Sequence, residues 1–375
     1  MNAARPALAS PSSSFWSAVG SSALLSACFG VAFVASVALL ARALPFPEIP
    51  IVREKIEYLA RHGDEFDILF LGSSRVHQQI MPPLFDAIVQ SNGLPVHSYN
   101  AGIPAMAAPE NGYLLEEILR RPHRRLRWVF VELTSLGAQA GAEETPRFAY
   151  WHDNVRMAFL TRIMWTNALW KQKRLAKDPT ATFLNRCNEW MVIAGHFWVH
   201  AHAWLVRSAN LNRGNEVLDR WLDTPGWRDN PGKEMIAQDE GWAPAAGRRQ
   251  QMDAKLQKEY AQAYAALLAN PAVKDRGDSF SQSALERMLA AIAKAGAKPV
   301  LIVPPTTAGR NFYPSPEREL ELAVLDFSDV RQYPELFTPE HRMDLGHLNT
   351  AGAKIFTEIL ARQFVKVATG HDPKP

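Results

Sequence analysis

The chain is poor in cysteine, with two in 375 residues, Cys28 and Cys187. A disulfide framework is therefore excluded as the basis of its stability, which must come from a buried core. Cys28 lies inside an apolar N-terminal run, which argues against a bridge between the two. An excess of either charge is also missing. Lys and Arg number 41 against 38 Asp and Glu, a formal net charge of +3, and this gives no reason to expect a nucleic-acid partner. No internal repeat is visible. At 375 residues and 47 % hydrophobic content, the chain has material for one large domain or two ordinary ones.

A third absence is local. No charged residue occurs from Pro6 to Ala41, and Phe15 to Ala41 is 27 residues of mostly Ala, Val, Leu, Phe and Ser. As a helix this run is about 40 Å long, against a bilayer hydrocarbon core of about 30 Å. A cleaved signal peptide has a shorter apolar region, of about 7–15 residues. The expectation is one uncleaved transmembrane helix, with residues 1–44 as a membrane anchor. Cleavage near Ala41-Arg42-Ala43 is the alternative. Leu25-Ser26-Ala27-Cys28 is similar to a lipoprotein cleavage box, but the apolar run continues well past the cysteine. Arg5 precedes the run and Arg42, Arg53 and Lys55 follow it, so charge orients the anchor only weakly.

Pro45, Pro47 and Pro50 read as a short extended spacer, after which residues 45–375 form the globular part. Short apolar runs predict strands over 66–71, 128–131, 299–303 and 323–325, and a further strand is read over 97–100, ending at Asn100-Ala101-Gly102. Helices are predicted over 82–90, 110–120, 281–295 and 350–364, with Pro109 at a helix start and Gly296 at a helix end. Strands alternating with helices imply a three-layer α/β/α sandwich with a mainly parallel sheet. Residues from about 141 to 278 break the alternation and read as a helical insertion rich in Trp, Arg and His.

In such sheets, sites form where strands end. Leu71-Gly72-Ser73-Ser74-Arg75 follows the first strand and Asn100-Ala101-Gly102 ends the second. Asp344-Leu345-Gly346-His347 lies near the C-terminus. A serine is a weak nucleophile until a base takes its proton, and an Asp orients and stabilises a His in that role. Ser74 is the expected nucleophile, His347 its base and Asp344 the partner of that base. Ser73 is the rival nucleophile, and a helix-capping serine is the plain alternative. Oxyanion or substrate-binding groups are expected at Gly102, Asn100 and Thr134, with Asn100 alternatively bracing its turn. Ser135 and the Ser74 amide are further donors. No cofactor and no metal is expected.

These blocks, in this order, resemble those of the SGNH/GDSL hydrolases, a flavodoxin-like fold. Gly72-Ser73-Ser74 stands for their Gly-Asp-Ser block, Asn100-Ala101-Gly102 for their glycine block, and Asp344 to His347 for their Asp-x-x-His block. Two departures are clear. Ser73 replaces the usual Asp, and Val131-Glu132-Leu133-Thr134-Ser135 stands where Gly-x-Asn-Asp is usual. Gly-Ser-Ser-Arg behind an anchor is more similar to the DltD-like branch, whose members include proteins that acetylate secreted polysaccharides. The resemblance implies a serine acyltransferase or esterase outside the cytoplasm, on the cytoplasmic membrane. It implies a multi-spanning membrane-bound O-acyltransferase as partner and a carbohydrate as acceptor. A non-catalytic assembly factor for such a partner is a third reading.

Other features have plainer expectations. His196 and His200 have metal-ligand spacing without a carboxylate beside them, so packing, or a helix at the membrane interface, is favoured. Arg120, Arg121, Arg124, Arg125 and Arg127 read as a solvated turn at the sheet edge opposite the site, or as a contact for anionic lipid. Arg75 is expected to brace its turn. His77 and His341 are rival bases. Trp242, in Asp239-Glu240-Gly241-Trp242, is expected to pack.

Overall fold

A computed structural model of the chain describes residues 13–44, 46–47, 49–106, 108–133, 146–178, 182–210, 213, 240–244, 250–270, 274–277, 279–307 and 311–371. Its centre is a five-stranded, all-parallel sheet: β1 (Ile68–Leu71), β2 (Ser98–Asn100), β3 (Trp128–Glu132), β4 (Lys298–Val303) and β5 (Ala323–Asp326). The spatial order is β2-β1-β3-β4-β5, with Leu69 paired to Val129 and Val131 to Leu301. Because every pair is parallel, all five strands end on one edge.

Except for β2, the strands are largely apolar runs because both sheet faces are covered. Side chains alternate across a strand. Leu69, Leu71, Val129, Val131, Leu301 and Val303 face one core, which they share with α2 (Val52–His62) and α5 (Glu110–Ile118). Ile68, Phe70, Phe130, Val300, Ile302 and Leu325 face the other. There α4 (Pro82–Ser91) supplies Phe85 and Val89, and the C-terminal helix (Thr350–Thr369) supplies Phe356, Leu360 and Phe364. This is the three-layer α/β/α arrangement expected from the sequence.

The N-terminal apolar run lies within one helix, α1 (Ser13–Ala43). Among the described residues no helix is long and apolar enough to cross a membrane. The spacer expectation needs correction. Pro47 and Pro50 lie in turns, where their carbonyls accept from Ile49 and Val52 at 2.9 and 2.8 Å, and Ile49 is buried. Pro45 lies outside the described residues. Directly after these turns comes α2, which was not expected. Its Val52, Ile56 and Leu59 recur at helical spacing and pack on the first core, but charged residues between them mask the pattern.

The described parts of the insertion are mostly helical: α6 (Pro146–Tyr150), α7 (Asn154–Lys177), α8 (Phe183–Ser208) and α9 (Ala254–Ala269), with residues 240–244 and 274–277 outside any helix. At the root of the α7–α8 hairpin His152 Nε2 meets His200 Nδ1 at 2.9 Å, stacked among Phe148 and Trp151. Both imidazoles are neutral, burial pushing His152 down to about 3 and His200 to about 4. Unfolded, each titrates near its usual pKa of about 6.5. Below that pH the unfolded chain binds protons that the folded chain refuses, so stability falls as the solution is acidified. His152→Asn removes one such group. Its stability profile, from denaturant unfolding between roughly pH 6 and 4, should be flatter than the parent's by about 1.4 kcal/mol per pH unit. Parallel profiles would contradict a neutral buried pair.

Candidate active site

The chain leaves β1 through Gly72 and turns at once into the short helix α3 (Ser74–Gln79). Ser73 caps it, its hydroxyl accepting from the Arg75 N–H at 3.3 Å. Ser74 is therefore the first helical residue, lifted just beyond the strand end. The Asp344–His347 turn meets it there. Ser74 Oγ stands 2.7 Å from His347 Nε2, and His347 Nδ1 lies 2.9 Å from both oxygens of Asp344. A carboxylate facing Nδ1 holds the ring proton on that nitrogen, which leaves Nε2 to accept from the serine.

Asp344 Oδ1 also accepts from the N–H groups of Gly346 and His347, at 2.7 Å each. Burial alone pushes this carboxyl up. The His347 ring and the two amides outweigh that and hold it below the usual carboxylate range. The turn itself is fixed from below. Arg342, fully buried, donates to the carbonyls of Pro305, Leu336 and Leu345 at 3.0, 3.2 and 2.8 Å. Burial lowers its guanidinium to about 10, so it stays charged at neutral pH. Thr307, after β4, adds two more donors to the Leu345 carbonyl. The pair remains reachable, with the His347 and Asp344 side chains 28 % and 39 % exposed.

A buried carboxylate organises the nucleophile side. Glu132, at the end of β3, accepts from Ser73 N at 2.5 Å and Ser73 Oγ at 3.1 Å, and pairs with Arg75 Nε at 2.6 Å. This settles Ser73 as a structural hydroxyl turned away from His347, and Arg75 as the brace expected of it. Gly72 is required here. A Cβ at this position would collide with the Glu132 carboxylate and with Val76.

The expected oxyanion donors need correction. Gly102 spends its N–H on Asn100 Oδ1 at 3.0 Å. The Asn100 amide donates to the carbonyls of Val76 and Ile80 at 2.7 and 2.8 Å, at the far end of α3. Asn100 thus braces the turn, and Gly102 is there for closeness, since a Cβ would strike the His77 backbone. Neither has a donor left for a developing oxyanion. Thr134 and Ser135 lie outside the described residues. Among the described residues the Ser74 N–H meets no acceptor, which makes it the available donor.

One more buried group, besides Glu132 and Arg342, escaped the sequence reading of the site. Lys55 of α2 is fully buried, and its ammonium donates to the carbonyls of Asn100, Gly102 and Gly241 at 2.6, 2.8 and 2.6 Å. Its pKa is pushed well below the ordinary value by burial. His77 Nδ1 lies 3.1 Å from it. Burial and that neighbouring charge press His77 to about 2, which disqualifies it as a base. Through Lys55 the insertion is clamped to the site: Asn100 N donates to Glu240 O at 2.8 Å, and Trp242 Nε1 to Gln78 O at 2.9 Å. Trp242 packs, as expected, and Asp239 lies outside the described residues.

The remaining candidates stand elsewhere. His341 Nδ1 is engaged by Thr338 Oγ1 at 2.7 Å and Glu335 O at 2.6 Å, so it closes a turn. His196 and His202 are exposed while His200 is turned inward to His152, and no metal-binding cluster is present among the described residues. Of the arginine group, Arg125 and Arg127 pair with Asp67 at the opposite strand ends. In comparison with known proteins, the chain matches no family model and no curated protein.

Removing one partner of a buried ion pair strands the other. Glu132→Gln keeps the shape but loses the charge opposite Arg75 and one acceptor for Ser73. The expected loss is roughly 3 kcal/mol in denaturant unfolding. A change within experimental error would show that the turn does not depend on this carboxylate.

Proposed function

We propose that the protein is a membrane-anchored O-acyltransferase, acting outside the cytoplasm on a cell-envelope or secreted polysaccharide through an acyl-enzyme at Ser74. The observation that carries this reading is the 2.7 Å approach of Ser74 Oγ to His347 Nε2, with Asp344 behind the ring. His347 takes the serine proton as Oγ attacks the donor's acyl carbon, and the imidazolium is stabilised by the ionised Asp344. The Ser74 N–H faces the oxygen that becomes negative. His347 then returns the proton to the departing group. In the second half, a carbohydrate hydroxyl gives its proton to His347 and attacks the acyl-enzyme, and the proton returns to Ser74 as the ester leaves.

The resemblance to the DltD-like branch supports the choice of donor and acceptor. The acyl group, by this reading acetyl, arrives through a multi-spanning membrane-bound O-acyltransferase. The anchor is α1, whose described part exposes Leu24, Leu25, Phe29, Val31 and Val34. An esterase runs the same steps with water, and the exposed edge of His347 is the feature that favours it as the second reading.

A fluorophosphonate applied to the full chain should label Ser74, and Ser74→Ala should abolish the adduct. Asp344→Asn should slow labelling by about 10³- to 10⁴-fold. A folded protein that fails to label contradicts both enzymatic readings and leaves the assembly factor. An acyl group released faster by added glycan than by water favours the transferase, and the reverse favours the esterase.

A further inference from the structure

Among the described residues, the hairpin of α7 and α8 keeps an apolar side uncovered. None of the residues described between 182 and 198 is buried. Phe183, Leu184, Met191 and Trp198 are 78, 74, 65 and 70 % exposed. These four fall at i, i+1, i+8 and i+15, a single stripe on a helix of 3.6 residues per turn. His200 and Ala203, on the other side of α8, are buried toward the root of the hairpin. Two helices cannot hide such a stripe by packing on each other, and an exposed apolar face of this extent marks a surface that something covers.

Charge says what covers it. The hairpin, residues 154–208, carries eight Lys or Arg and two acidic residues, a net +6 in a chain whose total is +3. The rest of the protein is therefore net negative, and the positive charge is concentrated on the arm. Arg162, Lys173, Arg174, Lys177 and Arg186 are all exposed. An exposed apolar stripe bearing Trp and Phe, beside solvated Lys and Arg, is the composition of a helix that lies in a membrane interface. Anionic headgroups supply the countercharge. Position agrees with composition. Asn210, just past α8, donates to the Val37 carbonyl of α1 at 3.2 Å, so the root of the arm touches the last turns of the helix read as the anchor. Trp204 Nε1 to Asn154 Oδ1 at 2.8 Å and the His152–His200 pair fix the arm at that root.

We propose that the α7–α8 hairpin is an interfacial arm that lays the Phe183–Trp198 stripe on an anionic bilayer. It rests on the anchor reading only for the supply of that bilayer. The arm gives the domain a second hold on the membrane, so that the Ser74 edge keeps one orientation toward the lipid surface instead of swinging on a single helix.

The test uses the full chain, with Cys28→Ser and Cys187→Ser, reconstituted into vesicles. A polarity-sensitive fluorophore is placed at Met191→Cys, at Phe29→Cys in α1, or at Leu320→Cys, 91 % exposed in the short helix before β5. Lipids brominated in the acyl chain are the quencher. In vesicles containing phosphatidylglycerol, the Met191 label should be quenched several-fold more than the Leu320 label. Replacing phosphatidylglycerol by phosphatidylcholine, or raising salt, should reduce that quenching. Quenching at Phe29 with none at Met191 overturns the arm while the anchor stands. Quenching at Met191 with none at Phe29 upholds the arm and removes the anchor. A Met191 label shielded from aqueous quencher yet blind to brominated lipid, in proportion to protein density, identifies a second copy of the chain as the cover and overturns the proposal.

Discussion

Ser74 Oγ and His347 Nε2 are 273 residues apart in sequence and 2.7 Å apart in space. That contact exists only because the sheet is parallel throughout. Parallel strands deliver every βα turn to one edge, so the end of β1, the end of β3 and the turn leading into the C-terminal helix converge. Any antiparallel strand at β1 or β3 would send Ser74 or Glu132 to the opposite side. The two cores, one on each face, hold the strands in register, and the site inherits its precision from them.

Within that edge, position is set by buried charge bonded to backbone. Glu132 gathers the amide and hydroxyl of Ser73 and the guanidinium of Arg75. Arg342 gathers three carbonyls beneath the Asp344 turn. Lys55 gathers three more where β2, the glycine turn and the insertion meet. A buried charge is costly to desolvate, and hydrogen bonds to the backbone offset part of that cost. Each of these three therefore fixes several loops at once, in places where no regular ladder could. Ser73 and His77 are tied to two of these charges, Glu132 and Lys55, and His341 Nδ1 closes a turn through Thr338 and Glu335.

Much of this was legible in the residues. Short apolar runs marked four of the five strands, because strands covered on both faces need no alternation, while β2 was marked by the Asn100-Ala101-Gly102 turn at its end. Ser74, Asp344 and His347 were legible because a small-residue turn after a strand and an Asp-x-x-His turn are local patterns. Gly102 and Asn100 were read as donors because their types permit it. Only coordinates reveal that their donors are spent on each other and on α3. Lys55, Glu132 and Arg342 were illegible for a related reason. A charged residue reads as solvated while its distant partners are unseen: Ser73 meets Glu132 across 59 residues, Lys55 reaches Gly241 across 186 and Arg342 reaches Pro305 across 37. The α2 signal, Val52, Ile56 and Leu59, was present but lay behind prolines and among charges.

If Ser74, His347 and Asp344 act as one unit, the effects of changing them are coupled. The rate of Ser74 acylation by an activated ester is measured for the parent, Asp344→Asn, His347→Ala and the double variant. Residues that act together are not additive. The double variant should then be no slower than His347→Ala alone. Losses that multiply, with the double variant slower by the product of the two single effects, would show that Asp344 and His347 act independently on Ser74, and the account would fail.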